Sequence, residues 1–195
     1  MIIDYLNVTE IDDETLSEHF AIMDADAKDR VLSLRDDNKR RQKIAADMLC
    51  RRMISGKCGI PSESIIFGRT EKGKPYTVNT DIFFSISHSG DVVVCAISEN
   101  EIGIDVEKIR NVRLRIAEKF ASPEEIGYIG DNLTRFFEIW TLKEAYFKCK
   151  GTGLGADIRS VTFDIDGGIT CSENGYSLRF ADITDGYICS VCIKN

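Results

Sequence analysis

One order of elements runs through this chain twice, and it limits the possible folds more than any single residue does. A long amphipathic helix is followed by short strands, and then by a longer apolar strand. The first helix is predicted over residues 38–55. Ile44, Ala45, Met48, Leu49 and Met53 form its apolar stripe, Asp36 or Asp37 its cap and Gly56 its stop. Strands follow at 64–67, 76–78, 83–87 and 92–97, separated by Gly68, Gly73-Lys74-Pro75 and Ser89-Gly90-Asp91. The second round has a helix over 134–150, capped by Thr134 and stopped by Gly151, then strands at 161–165, 169–172, 177–180 and 187–193. Only the order repeats, not the residues. It predicts an α/β (α+β) protein of two similar halves, 1–101 and 102–195, related by a pseudo-two-fold. Each half is a long helix packed on a small, mainly antiparallel sheet. Scarce proline and the lack of a low-complexity linker make the two halves one unit with a cleft between them.

Charge narrows the range of partners. The chain carries a net −7, so general affinity for nucleic acid or for an acidic membrane surface is not expected. Between Lys28 and Lys57, however, ten Lys or Arg face four Asp. That local excess suits either a solvated helix face or one anionic ligand or partner. The first residues have neither a basic segment nor a long apolar run, which argues against a secretory leader. Seven cysteines at irregular spacing read as free thiols of a cytoplasmic protein. Cys189 and Cys192 form a C-x-x-C, but on a strand they point to opposite faces, so they are read as core filling.

Two acidic segments carry chemistry. In Gly103-Ile104-Asp105-Val106-Glu107 the apolar residues alternate with Asp105 and Glu107, which therefore share one strand face. In Trp140-Thr141-Leu142-Lys143-Glu144-Ala145-Tyr146-Phe147-Lys148, Glu144 and Lys148 lie four apart and share a helix face. Three carboxylates and an ammonium suit a hard divalent cation that holds a phosphate ester. Two look-alikes are set aside. Gly68 to Lys74 spells most of a P-loop, but Pro75 stands where a Ser or Thr is needed, and a strand follows instead of a helix. Gly151-Thr152-Gly153-Leu154-Gly155 follows a helix, so it fails as a dinucleotide fingerprint. His19, in a polar stretch, is read as a surface residue.

GIDVEK together with WTLKEAYFKCKGTGL resembles the signature pair of the 4′-phosphopantetheinyl transferases, and GKPY…FFSISHSGDVVVCAIS resembles their upstream region. The likeness runs from about Arg30 to Leu154. The chain is too long for the small trimeric holo-acyl-carrier-protein synthases. It resembles the longer, surfactin-synthetase-activating type, in which two α/β halves form one monomer. The resemblance implies transfer of phosphopantetheine from coenzyme A to a serine of an apo acyl or peptidyl carrier protein, with Mg²⁺ or Mn²⁺ as cofactor and adenosine 3′,5′-bisphosphate released. It implies Asp105, Glu107 and Glu144 as metal ligands and Lys148 at the pyrophosphate. Ser87, His88, Lys74, Lys28, Arg30 and either Arg40 or Arg41 would bind coenzyme A. Gln42 holds the place that a gapless match gives to the family's arginine. Glu144, or else Glu125, or a water, would take the serine proton. Trp140 is expected to support the helix, Lys143 either to support it or to touch ligand, and a basic lip at Arg40, Arg41 or Lys43 to meet an acidic carrier. A Mg²⁺-dependent diphosphate hydrolase and a binding protein without chemistry are the competing readings.

Overall fold

The computed structural model describes residues 1–153, 158–165 and 167–195; of the Gly151–Gly155 loop, Leu154 and Gly155 lie outside the described residues. The first half runs β1 (Ile2–Asn7), α1 (Asp13–Ile22), α2 (Ala25–Leu32), α3 (Asp37–Cys58), the hairpin β2 (Phe67–Arg69) and β3 (Pro75–Thr77), β4 (Phe83–Ser89) and β5 (Val92–Ser98). The second runs β6 (Ile102–Lys108), α4 (Pro123–Ile129), α5 (Leu133–Lys150), the hairpin β7 (Phe163–Asp164) and β8 (Thr170–Cys171), β9 (Tyr176–Phe180) and β10 (Tyr187–Lys194). The sheets are ordered β1-β5-β4 and β6-β10-β9, all antiparallel. In each half the last strand lies between the first and the penultimate. The order repeat in the sequence is therefore a repeat of topology.

The strands need two-sided burial, and the packing provides it. Val93, Cys95 and Ile97 of β5 face α3 with Ala45, Leu49, Cys50 and Ile54. Val92, Val94 and Ala96 on its other side meet Ile102, Ile104 and Val106 of β6 and Cys189 and Val191 of β10. The two sheets thus pack face to face through an apolar layer. On the far side of the second sheet, Cys192 joins Phe137, Leu142, Ala145 and Tyr146 of α5 in a second core. Cys189 and Cys192 do lie on opposite faces.

Several boundaries differ from the sequence reading for local reasons. Asp36 caps α3 by accepting from Lys39 N at 2.9 Å. The helix runs past Gly56 to Gly59, whose φ of 68° supplies the left-handed stop. Asn132, not Thr134, caps α5 through Arg135 N at 3.2 Å, and Gly151 (φ 69°) ends it as expected. The short elements β1, α1 and α2 were not foreseen; α1 and α2 each start at an aspartate cap, Asp12 and Asp24. His19 is not a surface residue. As α1 packs on α3, its Nε2 comes to 2.8 Å from Asp47 Oδ2, and Asp47 also accepts from Arg51 Nε at 2.7 Å.

Candidate active site

At the seam between the halves, β4 lies beside β6 and touches it through side chains. Alternation puts Phe84 and Ile86 of β4 toward the α3 core and Ser85, Ser87 and Ser89 toward β6. Ser85 Oγ accepts from Ile104 N at 3.1 Å. Ser87 Oγ donates to Asp105 Oδ1 at 2.7 Å, and Ser89 Oγ donates to Glu107 Oε2 at 2.7 Å. From the other side, α5 delivers Lys148, whose Nζ donates to Asp105 Oδ1 at 2.7 Å, Ser87 Oγ at 2.9 Å and Ile104 O at 3.1 Å. Arg110 Nη1 donates to Glu107 Oε2 at 2.7 Å.

Asp105 is only 5% exposed, and its second oxygen, Oδ2, is buried with no partner. Burial pushes its carboxyl up, against the pull of Lys148 and Ser87. Glu144 is half-buried and is pushed up to about 7, first by burial and then by the charge on Asp105; Lys148 opposes this and Glu107 adds to it. The three acids thus feel one another as like charges. Among the described residues no trio of His, Cys, Asp and Glu converges on one metal position. Each strand acid already has a cation beside it, Lys148 on Asp105 and Arg110 on Glu107.

Beside this cluster opens a cavity of about 610 Å³. Glu144 and Lys148 of α5 line one wall, and His88 and Ser87 of β4 another. Arg30 of α2, Lys43 of α3 and Arg69, Lys72 and Lys74 of the β2–β3 hairpin complete it. The cations crowd one another. Lys43 is pushed down by burial first, then by Arg69, Arg30 and Lys148. His88 is lowered to about 4 by burial, Lys43 and Lys148. Asp24, Asp26 and Asp47 also line the cavity and Arg30 pairs with Asp26, but Lys43, Arg69, Lys72, Lys74 and Lys148 leave it an excess of cations that suits an anion, with Glu144 at its acid end.

The sequence-predicted residues divide accordingly. Asp105, Glu107, Glu144, Lys148, Ser87, His88, Lys74 and Arg30 come together at the cavity or the cluster behind it. Lys74 also ties the hairpin to the end of α5, donating to Cys149 O at 2.9 Å. Lys28 does not line the cavity; its Nζ donates to Ala21 O at 2.7 Å. Arg41 is also elsewhere. It pairs with Asp13 and donates to Val8 O (3.1 Å) and Ile11 O, so it fastens the turn after β1 to α3. Arg40 Nε is used on Leu34 O at 2.7 Å. Of Arg40, Arg41 and Lys43, only Lys43 lines the cavity. Gln42 donates to Gly90 O at 2.6 Å and holds the β4–β5 turn, while the next residue, Lys43, reaches the cavity.

Glu125 must be corrected too. It is 1% exposed, and it forms an ion pair at 2.8 Å with Lys143, which is fully buried. Its oxygens accept from Phe163 N at 2.9 Å and Ser122 N at 2.7 Å, closing the capping box of α4. Lys143 donates to Val161 O at 2.6 Å. This pair belongs to the second core, where removing one partner would strand the other's charge at a cost of about 3–5 kcal/mol. Lys143 thus supports α5. Trp140 packs its ring against Phe120 at 4.9 Å. Sequence reading missed Arg69 and Lys72. Their signal was present in the rejected P-loop look-alike: a strand does follow it, yet its cations still line the cavity.

Comparison with known proteins shows the family. Residues 101–192 match the family model described as the 4′-phosphopantetheinyl transferase superfamily, and residues 11–100 match its N-terminal model, described as 4′-phosphopantetheinyl transferase, N-terminal. The 4′-phosphopantetheinyl transferase gsp of Aneurinibacillus migulanus is 35% identical over 159 residues, covering 76% of this chain and 67% of that protein. The chain belongs to the 4′-phosphopantetheinyl transferase superfamily. The transferase Sfp of Bacillus subtilis (strain 168) is 32% identical over 161 residues, covering 76% of this chain and 72% of that one. The Bacillus pumilus relative psf-1 is 36% identical over 149 residues, covering 73% and 61%. This chain is accordingly an enzyme, a 4′-phosphopantetheinyl transferase. None of its described helices is long and apolar enough to cross a membrane.

His88 gives the transferase a pH signature. Its lowered pKa keeps the ring neutral at neutral pH in the free protein. Its NMR resonances should therefore stay flat through neutral pH and move only as the pH falls toward about 4. An anion bound among the neighbouring cations should shift that midpoint upward, because it favours the imidazolium. A midpoint at the ordinary histidine value in the free protein would show that neither burial nor the charges of Lys43 and Lys148 act on it as described.

Proposed function

We propose that this transferase takes the phosphopantetheine arm of coenzyme A and places it on a serine of an apo acyl or peptidyl carrier protein, with a divalent cation, Mg²⁺ or Mn²⁺, at Asp105, Glu107 and Glu144. One observation carries the reading: a cationic cavity ends at an acid cluster whose most buried oxygen, Asp105 Oδ2, has no partner. A buried, unpaired carboxylate oxygen among like charges is costly unless a cation meets it. Bound there, the metal would offset negative charge on the diphosphate.

The chain's own residues do the rest. Lys148, His88, Lys43, Arg69 and Arg30 surround the phosphates and fix the donor. The carrier serine oxygen bonds to the phosphorus that carries pantetheine. The bond from that phosphorus to the oxygen of the nucleotide breaks, and adenosine 3′,5′-bisphosphate leaves. The serine proton needs an acceptor. Of the two carboxylates considered for that role, Glu144 lines the cavity and Glu125 does not, so Glu144 or a water beside it takes the proton. Both halves, 1–101 and 102–195, line the cavity, so a monomer suffices.

The test is to incubate the enzyme with coenzyme A, Mg²⁺ and an apo carrier protein, and to weigh the carrier. A gain of one phosphopantetheine, abolished by EDTA, is expected. Free phosphopantetheine without carrier gain would assign hydrolysis instead, and no product at all would leave only binding. A panel of fatty-acid, polyketide and peptide carriers would then identify the preferred class.

A further inference from the structure

Glu107 and Asp105 are held by different means. Asp105 is wedged between Ser87 and Lys148 and hardly exposed. Glu107 lies near the open end of β6 with its side chain 20% exposed, and its two partners are unlike. Arg110 comes from the same chain segment, three residues on, and its side chain is 54% exposed. Ser89 comes from the other half of the protein and is half-buried. Its hydroxyl donates to Glu107 Oε2 at 2.7 Å while accepting from Lys108 N at 3.1 Å. One hydroxyl therefore fixes both the carboxylate and the backbone that bears it. Both partners take the same oxygen, Oε2.

We infer that Ser89 is a positioning residue: it holds Glu107 across the seam so that the carboxylate stands ready for the divalent cation. This inference rests on the assignment of Glu107 to the metal. Arg110 is steadied by Lys108 O at 3.2 Å and by the Phe137 ring, but its side chain is 54% exposed, so its ion pair with Glu107 is screened by salt and contributes little. A half-buried hydroxyl locked by a backbone N–H holds it better. Groups that orient a metal ligand are each worth about 10- to 100-fold in metal affinity.

Ser85 supplies the control. It makes the same kind of seam bond, accepting from Ile104 N at 3.1 Å, but among the described residues it bonds no carboxylate. The experiment measures Mn²⁺ binding by electron paramagnetic resonance, with neither coenzyme A nor carrier present, together with the Mg²⁺ dependence of transfer. Ser89→Ala should weaken Mn²⁺ by about 10-fold or more and raise the Mg²⁺ concentration needed, with kcat at saturating Mg²⁺ nearly kept. Ser89→Thr, which keeps the hydroxyl, should restore both, and Ser85→Ala should change neither. If Ser89→Ala binds Mn²⁺ as the parent does while Asp105→Ala does not, the inference about Ser89 is wrong and the metal assignment stands. If Ser89→Ala and Ser85→Ala lose affinity alike, the effect is general loosening of the seam, and the inference falls. If the parent itself binds no Mn²⁺ and transfers without divalent cation, the metal assignment fails and takes the inference with it.

Discussion

Asp105→Asn is expected to lower transfer by about a thousandfold or more while leaving the metal-free protein at least as stable as the parent. The first half follows from the loss of one formal charge against the cation. Such charge stabilisation is worth several kcal/mol, and each 1.4 kcal/mol or so is tenfold in rate. The second half follows from the direction of the Asp105 shift. Burial raises its carboxyl pKa in spite of Lys148 and Ser87. An acid whose pKa is raised on folding binds its proton more tightly in the folded state. It therefore imposes no penalty below the unfolded pKa, where it is neutral in both states. It weighs against folding as the pH rises through the folded pKa. Asparagine keeps an acceptor for Ser87 and Lys148 but has no charge to strip of water. Lys148 keeps its bond to Ile104 O, and its side chain is 30% exposed, so it is not stranded. Thermal unfolding in EDTA should show the variant at or above the parent near neutral pH, with the gap closing as the pH falls. Near-normal turnover would remove Asp105 from the metal site. A clear loss of stability would show that its carboxylate is not under the burial strain described.

What could be read in the sequence was local. Asp105 and Glu107 share a face because strands alternate, and Glu144 and Lys148 share one because helices repeat every 3.6 residues. The twofold recurrence of helix, hairpin and long strand was legible for the same reason: each element announces itself over a few residues. What could not be read depends on which neighbour arrives. Arg41 and Lys43 are two steps apart on α3, yet one fastens the turn after β1 and the other faces the cavity. Charge and spacing are the same for both; only the packing of β1 and β4 on the helix separates them. Glu125 could stand as a candidate base because the lysine that claims it lies 18 positions on, and both are sealed only after α4 and α5 pack together. Arg69 and Lys72 lay in a segment correctly refused as a P-loop. Their place at the cavity comes from how the β2–β3 hairpin folds back over β4, which no local pattern encodes.

Gly103→Ala is expected to be among the most damaging single-methyl changes the chain can suffer. A Cβ at Gly103 would lie 2.0 Å from Ala145 O and 2.3 Å from Cys149 N. Both are backbone atoms of α5, so no side chain can swing aside to make room. The helix must lift from β6, and it cannot do so freely, because Leu142, Ala145 and Tyr146 are packed in the second core. Overpacking of this kind costs about 3 kcal/mol or more where the obstacle is rigid, a large part of a domain's usual net stability. For a chain of this size that is a fall in Tm of roughly 6–12 °C. Gly56→Ala makes the matching control. It lies inside α3, exposed, with nothing within 4 Å of the new Cβ, so it should raise stability by about 0.5–1 kcal/mol. The same added methyl should thus act with opposite signs at the two positions. Transfer by whatever Gly103→Ala protein remains folded should fall as well. Glu144 and Lys148 flank Ala145 on the helix that must move, and Lys148 meets Asp105 only two residues from Gly103. A variant that melts with the parent would show that α5 and β6 do not approach this closely. A variant that melts early but transfers normally when folded would show that the acid cluster tolerates a shifted helix. The close approach at Gly103 would then serve the fold alone.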